Sequence, residues 1–598
     1  MVFVATLDLT SSRYSVVKME WQHELENRPD IHESRVWQTE AILSSVRSQI
    51  NSAFRRSYHD PEEYTQVAGE EWVVSPSKSP RDWTDESSNL PSFDRSLGTR
   101  QASIGILTVG ALVAAGCFAY SIYIYVARSS IQIDHINLGQ DAREVIVLGA
   151  FTVLTFLTDQ LSYVHSVSLR WALYNEGRLD FNTNIRLFAS SRNTLPNSWF
   201  ANLLSMFFLV LSYAAVSQLF IQFWLSPAVL SKEVFLTIPT AVNAAAIFAL
   251  GIGLLGQTFI GVFCIIRTIP SWSSNPLNTT LAALHARTKH NSGRCMLSVH
   301  DFASKSGAYK PNVKQSSACK ARKAVRLVLI FVWILALLSL IPIPAWAIVE
   351  KVEYSYATVS LSMTPLGFWI APSQDNPYPS FSLPVQCVLA LLLFCGIQGL
   401  QTVGLHCAEL LVNMVRDEAA WRQAALPSRN INLTQTVKKG ARYQTTPFVS
   451  AAFSWQNAIL FIFKAALHWL FSQTVAIASV PVESTSDSGI TYDANGVPTT
   501  RTLAFVVRLP FALAYGISTI TVGLFVTYLA FRKPKGPQPA AFGHIQTLAD
   551  LVDDWRTNAE GYFWWGGQDI NRDGTRHAGT SPNPEDLRSI AIDALYAG

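Results

Sequence analysis

Eight long apolar stretches, near residues 104–126, 145–164, 200–224, 240–266, 327–349, 384–405, 456–476 and 503–530, constrain this chain more than any other feature. A helix rises 1.5 Å per residue, so about 20 apolar residues span a bilayer core of about 30 Å. Each stretch reaches or approaches that length. The expected fold is therefore all-α, a polytopic bundle of about eight transmembrane helices.

Positive charge alternates between the segments that join the stretches. The connectors after the second, fourth and sixth hold 21 Lys and Arg, whereas those after the first, third, fifth and seventh hold five: Arg128, Arg143, Lys232, Lys351 and Arg501. The first group is longer, but the excess survives correction for length. Arg95 and Arg100 precede the first stretch, and Arg532, Lys533 and Lys535 follow the last. The positive-inside bias then places both termini in the cytoplasm. It also divides the chain into a polar N-terminal region (1–103), a membrane domain (104–530) with basic cytoplasmic connectors at 267–326 and 406–454, and a cytoplasmic tail (531–598).

Composition agrees: 49% of residues are hydrophobic and only 15% charged, as in a membrane domain with polar tails. The basic connectors would face the anionic inner leaflet of the bilayer, their expected partner. No basic soluble domain is present, which argues against nucleic acid. None of the seven cysteines falls in an exterior connector, so no disulfide framework is expected. The start, MVFVATLDLTSSRY, lacks the basic and apolar regions of a cleaved signal. Sequons at Asn278 and Asn432 lie on the predicted cytoplasmic side.

Outside the spans, Ile42, Leu43, Val46, Ile50 and Phe54 recur at helical spacing, an amphipathic helix that either lies on the membrane or docks on the protein's own loops. Ile545, Leu548, Leu551, Val552 and Trp555 predict a second such helix, and Leu587, Ile590 and Leu595 a last one. The glycines of GIGLLG at 251–256 match a dinucleotide-binding pattern, but they sit inside an apolar span with no preceding strand. Small residues there are better read as a close approach of two helices. Asp569, Asn571 and Asp573 resemble the start of a calcium loop. Position twelve is Thr580 instead of the expected Glu, so a solvated turn is the preferred reading. No cofactor and no resident metal are expected.

Ionisable residues inside the spans carry the sharpest signal, since each costs about 2.5–3.5 kcal/mol at mid-membrane. Asp159 lies in the second span beside Gln160, Lys464 near the centre of the seventh, and His468 one turn from Lys464. Either they line a pathway for substrate or protons, or they form a buried structural pair that sets helix register. At the inner end of the sixth span, His406 and Glu409 stand one turn apart, which suits a shared metal or proton. Arg508, at the outer end of the last span, can reach the headgroups. Three functions stay open: a transporter or channel for an unidentified solute, a membrane scaffold or sensor holding a protein partner, and, with His406 and Glu409 as its only local candidates, a membrane-embedded enzyme.

Three regions, LRWALYNEGRLDFNTNIRLF (169–188), GLHCAELLVNMVRDEAAWR (404–422) and the tail pieces GHIQTLADLVDDW and RHAGTSPNPEDLRSIAIDALYAG, carry a resemblance. They are similar to uncharacterised multi-pass membrane proteins of filamentous fungi, a family with no assigned activity. The resemblance implies an integral protein of a plasma or internal membrane in a fungal-type cell, and supplies no site residues. Where that family has a Trp-Gly-Asp-Lys-like element, this chain has Trp564-Trp565-Gly566-Gly567-Gln568.

Overall fold

The computed structural model describes residues 90–597 apart from 128–132, 137–139, 187, 224–239, 303–306, 345–358, 365–366, 373–382, 427–439, 444–453, 482–500 and 571–573. The helix expected at 42–54, the sequon at Asn432, and Asn571 and Asp573 of the calcium-like turn lie outside the described residues. Those described belong to one compact unit.

In chain order the elements are α1 (Leu97–Ala127), β1 (Ile133–Ile136), α2 (Gln140–Asn175), α3 (Trp199–Ser217), β2 (Phe220–Phe223), β3 (Thr240–Asn243) and α4 (Ala244–Ile265). Next come α5 (Pro276–Leu284), β4 (Ala308–Tyr309), α6 (Ala318–Ala321), α7 (Lys323–Leu338), β5 (Val359–Thr364), β6 (Gly367–Pro372) and α8 (Leu383–Arg422). The chain ends with α9 (Trp455–Thr474), β7 (Val475–Pro481), β8 (Arg501–Arg508), α10 (Leu509–Phe531), α11 (Ile545–Leu551), β9 (Trp564–Ile570), β10 (Arg576–Ser581) and β11 (Tyr596–Ala597).

Helix starts follow local chemistry. Ser198, Asn243 and Asn275 cap α3, α4 and α5 by accepting from the free N–H groups of the first turn, and Pro276 occupies a position where no N–H is needed.

Among the described residues seven helices, α1, α2, α3, α4, α7 (with its closing turns, Lys323–Pro344), α8 and α10, are long and apolar enough to cross a membrane. Helix α9 is 20 residues long but carries Lys464 and His468 at its middle, and it is not among the seven. The packing is inside-out relative to a water-soluble bundle. Leu112, Val126, Phe259 and Ile517 are each more than 60% exposed on the helix exteriors, whereas Thr155, Ser212, Gln398 and Thr402 are buried between helices. Such an apolar exterior suits lipid, where small and polar side chains hold helices together.

The glycines of GIGLLG illustrate that packing. A Cβ on Gly253 would lie 2.3 Å from Ser212 Oγ, and one on Gly256 2.4 Å from Phe208, both on α3. Only glycine lets α4 approach α3 so closely, and no nucleotide-binding turn exists there.

The all-α expectation needs correction, because two sheets cap the bundle. Every strand of the seven-stranded sheet, ordered β1-β3-β2-β7-β8-β6-β5, comes from a connector after the first, third, fifth or seventh long helix. Four apolar stretches are consequently longer than the helices they hold. The third ends as helix at Ser217, the fourth starts at Ala244, the seventh ends at Thr474 and the eighth begins at Leu509. The residues beyond, such as Val475, Ile477, Val506 and Val507, pair between β7 and β8. Apolarity alone does not separate helix from strand, whereas β-branching favours the pleated backbone.

At the other end, the remaining connectors and the tail form a second layer. Its four-stranded sheet runs β4-β11-β10-β9, joining residues 308–309 to the C-terminal strands. Leu281 of α5, Trp421 of α8, Leu548 of α11, and Trp565 and Tyr596 of the tail share one buried core. Asn278 is buried there and exchanges hydrogen bonds with the Asp94 backbone (2.8 and 2.9 Å), which seals this sequon from any glycan. The tail is thus less helical than expected. Helix α11 stops at Leu551, and Trp555 joins the core in extended chain. The helix expected through Leu587, Ile590 and Leu595 is absent. Pro584 permits only a short 3-10 turn, and the Arg588 backbone bonds Gly567 at 2.8 Å in both directions. Asp569 lies in β9 instead of after an entering helix, so the calcium-loop framework is missing.

Trp565 packs edge-on against Trp421, with centroids 6.3 Å apart. Replacing it with alanine would leave a large cavity, and Trp565→Ala is expected to cost about 3–5 kcal/mol, read as a fall in the thermal unfolding midpoint of the purified protein.

Candidate functional site

Three helices bring charged groups together inside the bundle. Lys464 of α9 places Nζ 2.7 Å from Asp159 Oδ1 of α2, and also hydrogen-bonds Glu409 Oε1 of α8. Glu409 in turn sits 2.7 Å from His406 Nδ1, one turn earlier on α8. The lysine is 2% exposed, while the Asp159 and Glu409 side chains are 25% and 32% exposed. That difference matters, because the carboxylates face open space and the ammonium is clamped behind them.

The open space is a cavity of about 430 Å³. Asp159, Gln160, His406, Glu409 and Lys464 line one part, and Asn182, Thr183, Asn184 and Ser274 of the basic connectors line another. It therefore extends from mid-bundle to the connector layer. Ser103 of α1, Asn413 of α8 and Asn457 of α9 add polar groups to its wall.

A second ion network holds the connector against the bundle. The Asp417 carboxylate on α8 accepts from Asn182 Nδ2 (2.9 Å) and Thr183 Oγ1 (3.2 Å), and lies 3.3 Å from Arg416 Nη2. Arg170 of α2 donates to Ser273 O at 2.7 Å and Thr279 Oγ1 at 3.3 Å. Arg186 donates to Ser205 Oγ at 2.8 Å, with His165 Nδ1 at 3.3 Å. Both guanidiniums are buried and line the cavity.

The sequence candidates separate accordingly. Asp159, Lys464 and Gln160 meet in or beside the cavity, and Glu409 and His406 join them. His468 does not. Its ring stacks on Tyr213 at 3.7 Å, and its Nδ1 accepts from Gln398 Nε2 at 3.1 Å, so it is a packed core histidine. Arg508 bonds Gln473 Oε1 at 3.2 Å. Arg170 and Arg186 escape sequence reasoning as site residues, because in the sequence they are indistinguishable from topology-setting charge.

Asp159, His406 and Glu409 place one ligand atom each within 4.8 Å of one another, a set that could hold a metal ion. Lys464 Nζ already contacts both carboxylates, so a tethered ammonium occupies the cation's place. Among the described residues of the connector layer no hydrolase site forms either. His577 Nε2 lies 3.1 Å from Asp553 Oδ2, and Cys295 is nearby, a combination that suits nucleophilic chemistry. The Cys295 thiol, however, is 2% exposed, donates to Ala597 O at 2.8 Å and accepts from Ala578 N at 3.3 Å. It anchors the chain end and offers no nucleophile to solvent.

No protein-family model, curated protein or solved structure matches the chain, so this geometry carries the functional argument.

Two expectations follow. Burial works against protonated His577, but its hydrogen bond to Asp553 and its contact with Cys295 outweigh it and push the imidazole from 6.5 up to about 10. A group whose folded value is raised stabilises below its unfolded value and ceases to as pH rises through the folded one. His577→Gln should therefore lower the unfolding midpoint at pH 6 and leave it nearly unchanged at about pH 10.5. Separately, Lys464→Met leaves two carboxylates without their cation and should cost about 3–5 kcal/mol, whereas adding Asp159→Asn and Glu409→Gln should restore most of that loss. Thermal unfolding of the single and triple variants reads both.

Proposed function

We propose that this chain is a transporter, an eight-span membrane protein with both termini in the cytoplasm that binds a small polar solute in the cavity and passes it across the bilayer. The observation that carries the reading is the Lys464–Asp159–Glu409 cluster on the wall of a cavity of about 430 Å³, a volume within the range of small-molecule sites. A purely structural ion pair has no need of an open space, and charged groups at membrane depth typically face a water-filled path. The span count rests on connectivity. Helix α9 leaves the basic layer at Ser454 and enters the seven-stranded sheet at Val475, as a crossing helix must. Orientation rests on the Lys and Arg excess of the connectors that form the other layer.

In this reading, Lys464 anchors the two carboxylates on the cavity wall from behind and leaves the cavity open. Movement of solute or protons would exchange one of its two partners while the other keeps the ammonium compensated. A scaffold is the second reading, favoured by the folded connector layer with its own core.

The test is thiol accessibility. Asp159→Cys and Asn457→Cys, each in a cysteine-free background and in sealed vesicles, should react with an impermeant maleimide from the connector side. Protection of both positions from either side, in a protein that elutes as a folded monodisperse species, would leave the cluster dry and structural and favour the scaffold.

A further inference from the structure

We infer that the connector end of the cavity is an oxyanion-binding subsite, built from Arg170 and Arg186, for the carboxylate or phosphate group of the solute. The inference deepens the transport reading and rests on it.

Among the described residues, neither Arg170 nor Arg186 is directly paired with a carboxylate. Four cationic side chains line the cavity, Arg170, Arg186, Arg416 and Lys464, against two carboxylates, Asp159 and Glu409. Lys464 is committed to both of those carboxylates. Arg416 pairs with Asp417, whose other oxygen is taken by Asn182 and Thr183. That leaves the two remaining arginines. Arg170 bonds a backbone carbonyl and a threonine hydroxyl, and Arg186 a serine hydroxyl and an imidazole nitrogen. Among the described residues neither has a carboxylate within 4 Å, although they are only 7% and 8% exposed.

Carboxylates act on both only from beyond pairing distance, Asp417 on Arg170, and Glu409 and Asp159 on Arg186. Burying a guanidinium without a direct anionic partner is costly, and a fold that keeps two beside one cavity has a reason to do so. The Arg170 Nε proton also lacks an acceptor among the described residues. A planar fork with unused N–H groups matches carboxylate and phosphate geometry, and charge-assisted bonds of that kind are the strong ones. A cationic solute is disfavoured there by the same two charges. The shared chemistry is an oxyanion, which a free solute or an anionic lipid headgroup can present.

The experiment measures thermal unfolding of the purified full-length protein in neutral detergent. It is titrated with inorganic phosphate, succinate or dioctanoyl phosphatidic acid, each against potassium chloride of matched ionic strength. A saturable rise in midpoint with phosphate or succinate supports a free anionic solute, and a rise with phosphatidic acid alone supports a headgroup. In Arg186→Gln or Arg170→Gln the half-saturating concentration should rise about tenfold or more. Arg186→Lys, which keeps the charge and spares the fold, should lose part of that affinity through loss of the fork. The inference is overturned if none of the three anions shifts the midpoint beyond chloride, or if the Gln variants that fold keep the original half-saturation. Maleimide labelling of the Asp159→Cys variant decides the cavity reading separately: labelling without anion binding removes the subsite alone.

Discussion

A lysine in the middle of an apolar bundle survives only if its charge is met, and much of the interior follows from how Lys464 is met. Its ammonium takes Asp159 from α2 and Glu409 from α8, so three helices distant in sequence share one electrostatic centre. Interactions of this kind are stronger away from water, and an uncompensated group there is correspondingly costly. The cluster therefore fixes the relative rotation of α2, α8 and α9 in a way that leucine contacts, tolerant of small slips, do not. Lys464 also makes α9 less apolar than its neighbours, which is why a helix that runs end to end stands outside the seven most apolar ones.

The cavity is a consequence of that arrangement. Asp159 and Glu409 approach Lys464 from one side, and the space they face continues past Asn413 and Asn457 toward the connector layer. There the segment around 182–186 is tied to α8 through Asp417, and the segment around 271–279 to α2 through Arg170 and Trp171. The connectors are thus part of the site, since they form its far wall. A second buried core, in which Trp421 at the end of α8 meets Trp565 of the tail, packs within that layer. The charge cluster in the bundle and the folded connector layer are two ends of one structure.

Connectivity and charge distribution run in parallel along the chain. All strands of the seven-stranded sheet come from the charge-poor connectors, and the charge-rich connectors build the opposite layer with the tail. Strand pairing such as β2 with β7, distant in sequence, closes the sheet across the helix ends and satisfies backbone groups that would otherwise be exposed near the membrane.

Several features are legible in the sequence itself. Apolar length locates all eight long helices, because the hydrophobic cost of a span dictates composition directly. Asp159 and Lys464 stand out because charge is expensive at that depth, Glu409 only through its one-turn spacing from His406 at the inner end of a span, and the glycines of 251–256 because small residues mark close helix contacts. The reach of the helices is less legible, since runs such as 475–481 are apolar in either conformation and only the presence of partner strands makes them β. The tail departs from its periodicity for the same reason: Leu587, Ile590 and Leu595 have helical spacing, but the neighbouring Gly567 backbone outcompetes it. Composition and periodicity, being local properties of the chain, determined the membrane class, the long helices and the candidate charges. Which charges meet, that His468 is packed while Arg170 and Arg186 face a cavity, and that the tail folds onto the connectors, depend on residues far apart in sequence, and only tertiary packing decides those.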